Sequence, residues 1–161
     1  MLVSAVAAGV LTGVATGGSL DNLSALRIRL LPVFLAALAL RLLAAAPVDQ
    51  GPRQLFHFAS LILLSAVALF NLRHAGSLFV AIGLILNTFA IVQGGGAMPI
   101  LPEAAQLNPQ ALSDGLHAVS KNAYPLGDVI PLGFFGFYSV GDVAIALGTF
   151  TLITMQMRTP K

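Results

Sequence analysis

The chain has 161 residues; 9% are charged, 57% are hydrophobic, and the mean hydropathy is +0.91. Ordinary soluble domains carry about a quarter charged residues, so this composition leaves too little polar surface to cover a water-soluble globule, and lipid must do the covering. The net charge of +2 is too small for a nucleic-acid patch, and the lack of Cys excludes a disulfide frame, a thiol nucleophile and a cysteine metal site.

A spanning helix needs about 20 mostly apolar residues. Five stretches approach that length, at about 2–16, 30–46, 55–72, 77–93 and 138–157, with a long connection over 94–137. Period-2 alternation is absent, which argues against a β-barrel. The expected fold is therefore all-α, a single polytopic membrane domain over 1–161. A cleaved signal peptide is the competing reading of the first stretch, but the positively charged start that such peptides carry is missing.

In the first stretch Ala5, Gly9, Gly13 and Gly17 recur every fourth residue. Small residues along one helix face let two backbones approach closely in lipid, so Gly9, Gly13 and Gly17 are expected to meet a helix-packing partner. Between the first two spans, Gly17 to Ser24 reads as a turn with a helix start, capped by Ser24 or Asp21. Arg41, about a turn from the end of the second span, is expected to snorkel to the interface. The short link from Asn71 to Gly76 makes the third and fourth helices antiparallel neighbours. Asn87, in the middle of the fourth, is expected to hydrogen-bond across helices.

Positive charge sets orientation. Arg27, Arg29, Arg73, Arg158 and Lys161 fall on one side of a five-span topology, and Arg53 and Lys121 on the other. That distribution places the N-terminus outside, the C-terminus in the cytoplasm and the 94–137 segment outside. Within that segment, Asn108 followed by Pro109 is a helix-start signal, and Leu112, Leu116 and Val119 share a helical face, as in a short helix lying on the outer leaflet. Phe134, Phe135, Phe137 and Tyr138 form an aromatic group at the interface.

The most informative stretch runs from Pro125 to Ile153. It carries Asp128 and Asp142 at the mouth of the last span, where acidic residues are costly and mark functional sites by default. Pro131, Gly133 and Gly136 lie between them and allow the chain to fold back. Two carboxylates in contact share a proton, one serving as base toward water and the other as acid toward a carbonyl. The alternative is structural, with Asp142 at a helix N-terminus and Asp128 in an ordinary turn. His57, His74 and His117 have no metal-ligand spacing, and neither a metal nor a cofactor is expected.

Two resemblances weigh on this choice. Gly127-Asp128-Val129-Ile130 and Tyr138-Ser139-Val140-Gly141-Asp142, followed by Val143 to Gly148, resemble the two aspartate blocks of lipoprotein signal peptidase (signal peptidase II). Ser139 stands where that family has Asn, and Gly141 where it has Ala. The whole chain is similar to an uncharacterised family of small bacterial multi-pass membrane proteins, through Gly17-Gly18, Asn22-Leu23, Gly95-Gly96-Ala97-Met98-Pro99, Leu126–Pro131 and Tyr138–Asp142. The first resemblance implies an aspartic hydrolase of the inner membrane with Asp128 and Asp142 catalytic. Gly95, Gly96, Met98, Pro99, Phe137, Tyr138 and Ser139 would then form the cleft for a membrane-embedded peptide or lipid-linked substrate. The second implies location and topology without activity. A non-enzymatic scaffold or accessory subunit with structural aspartates remains the alternative, and a proton- or ion-linked carrier a third.

Overall fold

The computed structural model describes residues 1–47, 49–107, 110–113, 115–123, 125–132 and 136–159. They are mostly helical. Five apolar helices dominate: α1 (Leu2–Ala15), α3 (Leu31–Ala45), α4 (Gln50–Phe70), α5 (Ser77–Gln93) and α8 (Val140–Arg158), with a single-turn α2 (Leu20–Leu23) after the first. Only α4 and α8 are long and apolar enough to cross a membrane by length and composition; α1, α3 and α5 are shorter apolar helices. At 1.5 Å per residue α4 is about 31 Å long, close to the hydrocarbon thickness of about 30 Å.

Local chemistry sets the helix ends. Pro32 opens α3, where its missing N–H costs nothing. Gly76 begins α5 in the left-handed region at φ 86°. Ser19, rather than Ser24 or Asp21, caps α2 by accepting from the Asp21 N–H. The third apolar stretch starts earlier than its hydropathy indicates, because Gln50 to Gln54 add a polar first turn to α4.

The helices pack in the order α3–α4–α5–α8–α1. The central α5 is the most buried, through Ala81, Gly83, Leu84, Asn87, Ala90 and Ile91. With Leu61, Ala68 and Met98 its apolar residues form the core, against which Phe58, Leu64 and Ile145 pack. Gly9 and Gly13 find their packing partner inside the chain: added Cβ atoms would meet Ile153 and Met157 of α8, whereas Gly17 sits in the following turn with open space around it. Many large apolar side chains point outward, among them Leu11, Leu42, Leu55, Phe70 and Leu78.

The two ends of the bundle differ. The lower end joins α1 to α2, α4 to α5, and the C-terminal end of α8. Over the upper end lies the 94–137 segment: β1 (Met98–Ile100), α6 (Pro102–Leu107), α7 (Gln110–Ser113), β2 (His117–Val119), β3 (Ile130–Pro131) and β4 (Phe137–Tyr138). β1 and β2 pair in parallel, and β3 and β4 antiparallel. This corrects the expected surface helix. Leu112 lies in the four-residue α7, the Leu116 carbonyl accepts from the Met98 N–H and Val119 lies in β2, so no single helix carries all three. Asn108, Pro109, Phe134 and Phe135 lie outside the described residues.

Candidate functional site

The upper end encloses a cavity of about 400 Å³ whose lining includes Arg41, His57, Asn87, His117, Asp128, Tyr138 and Asp142. Five ionisable groups other than Tyr138 thus converge from α3, α4, the 94–137 segment and α8.

Asp142 is placed by the start of α8. Ser139 is the N-cap: its hydroxyl accepts from the Asp142 N–H at 2.9 Å, and Asp142 Oδ2 accepts from the Ser139 N–H at 3.2 Å. This reciprocal capping box satisfies two N–H groups that a helix start leaves open. Asn87 of α5 donates through Nδ2 to Asp142 Oδ1 at 2.9 Å and accepts from Ser139 Oγ at 2.8 Å. The expected interhelical bond of Asn87 is therefore made, and its partner is the α8 cap. Gly141 makes this approach feasible, because an added Cβ would strike Asn87 Oδ1 and the Gly83 carbonyl. Ser139 is fully buried, a cap and not a lining residue.

Asp128 is placed by β1, which has β2 along one edge and the Asp128 segment along the other. The Asp128 N–H donates to the Pro99 carbonyl at 2.9 Å. Gly127 beside it has no room for a side chain, since a Cβ would press on the carbonyls of Pro99 and Ala123. The chain then folds back as the β3–β4 hairpin, with Ile130 opposite Tyr138. The buried Asp128 meets half-buried His117, Oδ2 to Nε2, at 3.1 Å.

Arg41 reaches the cavity from the rim. Its Nη1 lies 2.9 Å from His57 Nδ1 across the α3–α4 hairpin, and it is close enough to Asp142 to feel its charge. Among the described residues no group of three or more His, Cys, Asp or Glu is arranged to hold a metal ion.

Of the residues that the sequence singles out, Asp128, Asp142, Met98, Phe137 and Tyr138 line this cavity. Gly95 and Gly96 do not; both adopt positive φ, at 69° and 105°, in the turn that ends α5. Pro99 acts through its carbonyl on Asp128. Sequence reasoning missed the participation of Arg41, His57 and His117, whose side chains come from segments far apart in the chain.

Asp142 accepts at both oxygens, which fixes the position of its carboxyl group. Asp128 and His117 form an acid–base pair facing a space large enough for a reacting group and water. No curated protein and no solved structure matches the chain. A family model does match, over residues 23–154, which include every residue of the polar cavity. The chain thus belongs to DUF5317, a family of unknown function.

Proposed function

We propose that this chain is a five-span integral membrane hydrolase that cleaves an ester or amide bond in a membrane-embedded peptide or lipid-linked substrate, with Asp128 and His117 handling the proton. The observation that carries the reading is the Asp128–His117 pair facing a cavity in which Asn87 and Asp142 are held by the α8 cap. Water entering the cavity loses a proton to the pair as its oxygen attacks the carbonyl carbon. The same pair returns a proton to the leaving oxygen or nitrogen as that bond breaks. The carboxylate orients the imidazole and stabilises its charged form. Such acid–base help is worth about 10²–10⁴-fold in rate.

This assigns the aspartates different parts. Rather than sharing one proton with Asp128, Asp142 holds the head of α8 in place and sets the wall of the cavity beside Arg41.

Five spans are supported by where the apolar surface lies. Only 22% of the apolar window of α4 and 28% of that of α8 are buried within the molecule, unlike the core helices of a water-soluble protein. Arg27 and Arg73 meet at the lower end, where Arg73 Nη2 donates to the Arg27 carbonyl at 2.7 Å. Basic residues gathered there favour that end as cytoplasmic, with the polar cavity on the outer side of a bacterial inner membrane.

The test compares membranes containing the wild-type protein, Asp128→Asn and His117→Gln, with lipids and small peptides profiled by mass spectrometry. Cleavage products should appear with the wild type and vanish with both variants. Identical profiles in all three would remove the hydrolase reading.

A second reading is favoured by the capping box itself. If Asp142 is structural, Asp128 can be so too, and the chain is then an accessory subunit. Asp128→Asn would in that case lower assembly or stability and leave no product to lose.

A further inference from the structure

The row α3–α4–α5–α8–α1 is curved. α1 packs on α8 and α3 packs on α4, but α1 and α3 make no extended contact with each other. Between them runs an apolar groove of about 640 Å³, walled by Val6 and Leu38 and floored by Leu64, Leu84 and Ile145. At its upper end the groove shares Arg41, Leu61, Asn87, Tyr138 and Asp142 with the polar cavity. An apolar trench and a polar chamber are therefore one continuous space.

From Asp142 to Leu152, both of which line the groove, α8 rises about 15 Å. That is half of the hydrocarbon thickness of about 30 Å, the depth of one leaflet. The groove thus has the length of a lipid chain in one leaflet, and its far end reaches Asn71, His74 and Ser77 at the lower end of the bundle. At the junction stands Arg41, whose guanidinium, among the described residues, hydrogen-bonds only His57, through Nη1. Its remaining donors suit a phosphate, which guanidinium recognises with two parallel hydrogen bonds. Asp142, the nearby carboxylate, already accepts hydrogen bonds from Asn87 and Ser139 at its two oxygens. Those bonds hold the Asp142 carboxyl group against the head of α8, and Arg41 stands between it and the groove mouth as the cation of the junction.

We infer that the groove and the cavity together hold one anionic membrane phospholipid, its phosphate on Arg41 and an acyl chain between α1 and α3. The inference builds on the proposed hydrolase and names its substrate class: a lipid whose head brings the scissile bond to Asp128 and His117. A chain lying in this trench is removed from the surrounding bilayer but loses no apolar contact, so head recognition decides which lipid stays.

The experiment uses the purified full chain in nanodiscs made of equal phosphatidylglycerol and phosphatidylcholine with matched acyl chains. Lipid retained after release into mild detergent is counted by native mass spectrometry. The wild type should retain phosphatidylglycerol about tenfold over phosphatidylcholine, because both heads offer the same phosphate but choline sets a second cation against the Arg41 guanidinium. Arg41→Gln should abolish that preference. Leu38→Trp, which fills the groove from a half-exposed position, should abolish retention of either lipid; Val6→Trp on the opposite wall does the same if the first variant fails to fold. Equal retention of the two lipids by the wild type, or full retention by a folded groove-filled variant, overturns the inference. Asp128→Asn separates it from the hydrolase reading. Selective retention by a chain that yields no product leaves the lipid site standing without the hydrolysis. Product formation without selective retention does the opposite.

Discussion

The two ends of this bundle use polar side chains in opposite ways. At the lower end side-chain amides staple separate stretches of backbone together. Asn71 donates to the carbonyls of Arg29 and Val67 and accepts from the Arg29 N–H, all within 2.9 Å. Asn22 donates to the Met157 carbonyl at 2.8 Å, while Gln156 donates back to the Asn22 carbonyl at 3.1 Å. At the upper end, side chains meet other side chains around a void: Arg41 with His57, His117 with Asp128, Asn87 with Asp142. Backbone staples hold a bundle together because they satisfy groups that a membrane cannot hydrate. Titratable side chains clustered around open space are a costly arrangement, and such clusters concentrate at functional sites.

Four substitutions break or sharpen that contrast. The largest effect is expected at Asp128→Asn, which keeps the side-chain shape and removes the carboxylate that orients the His117 imidazole; product formation should fall by about 10²-fold or more, with the protein still folded by size-exclusion chromatography. Next is Asn71→Leu at the lower end. It leaves the backbone partners of three hydrogen bonds unmatched and should lower unfolding stability by about 2–3 kcal/mol, measured by denaturant titration in detergent, while turnover per folded molecule is unchanged. Gly141→Ala forces a methyl group against Asn87 Oδ1 and Gly83 O; prying α5 from α8 should cost about 1–3 kcal/mol, visible as a lower midpoint in the same titration. The smallest is Asp142→Asn, which weakens the capping box and the bond from Asn87 by about 1 kcal/mol in total. If Asp142→Asn instead abolished turnover in a protein of wild-type stability, the division between the two aspartates would be gone.

Much of the helical framework was legible in sequence. The 77–93 stretch coincides with α5, because an apolar run broken only by Asn87 and Thr88 ends at a glycine run. The 2–16 and 30–46 stretches agree with α1 and α3 to within a residue at each end. The fold-back of Asp128 toward α8 was legible from Pro131 and Gly136, which interrupt regular structure between the acids. The convergence of Arg41, His57 and His117 was not, since it depends on helix order and on a parallel β1–β2 pairing that no local pattern encodes. Another signal was present but passed over. Gly76 and Gly83 on α5, and Gly141 and Gly148 on α8, are each separated by two helical turns, and their backbones meet. That spacing marks the close crossing that delivers Asn87 to Asp142.

The most direct test is one assay of product formation per folded molecule for Asp128→Asn, His117→Gln and Asp142→Asn side by side. Loss of product with the first two and its survival with the third is the predicted result. Losses that merely follow the folded fraction in all three would contradict an Asp128–His117 proton-transfer site.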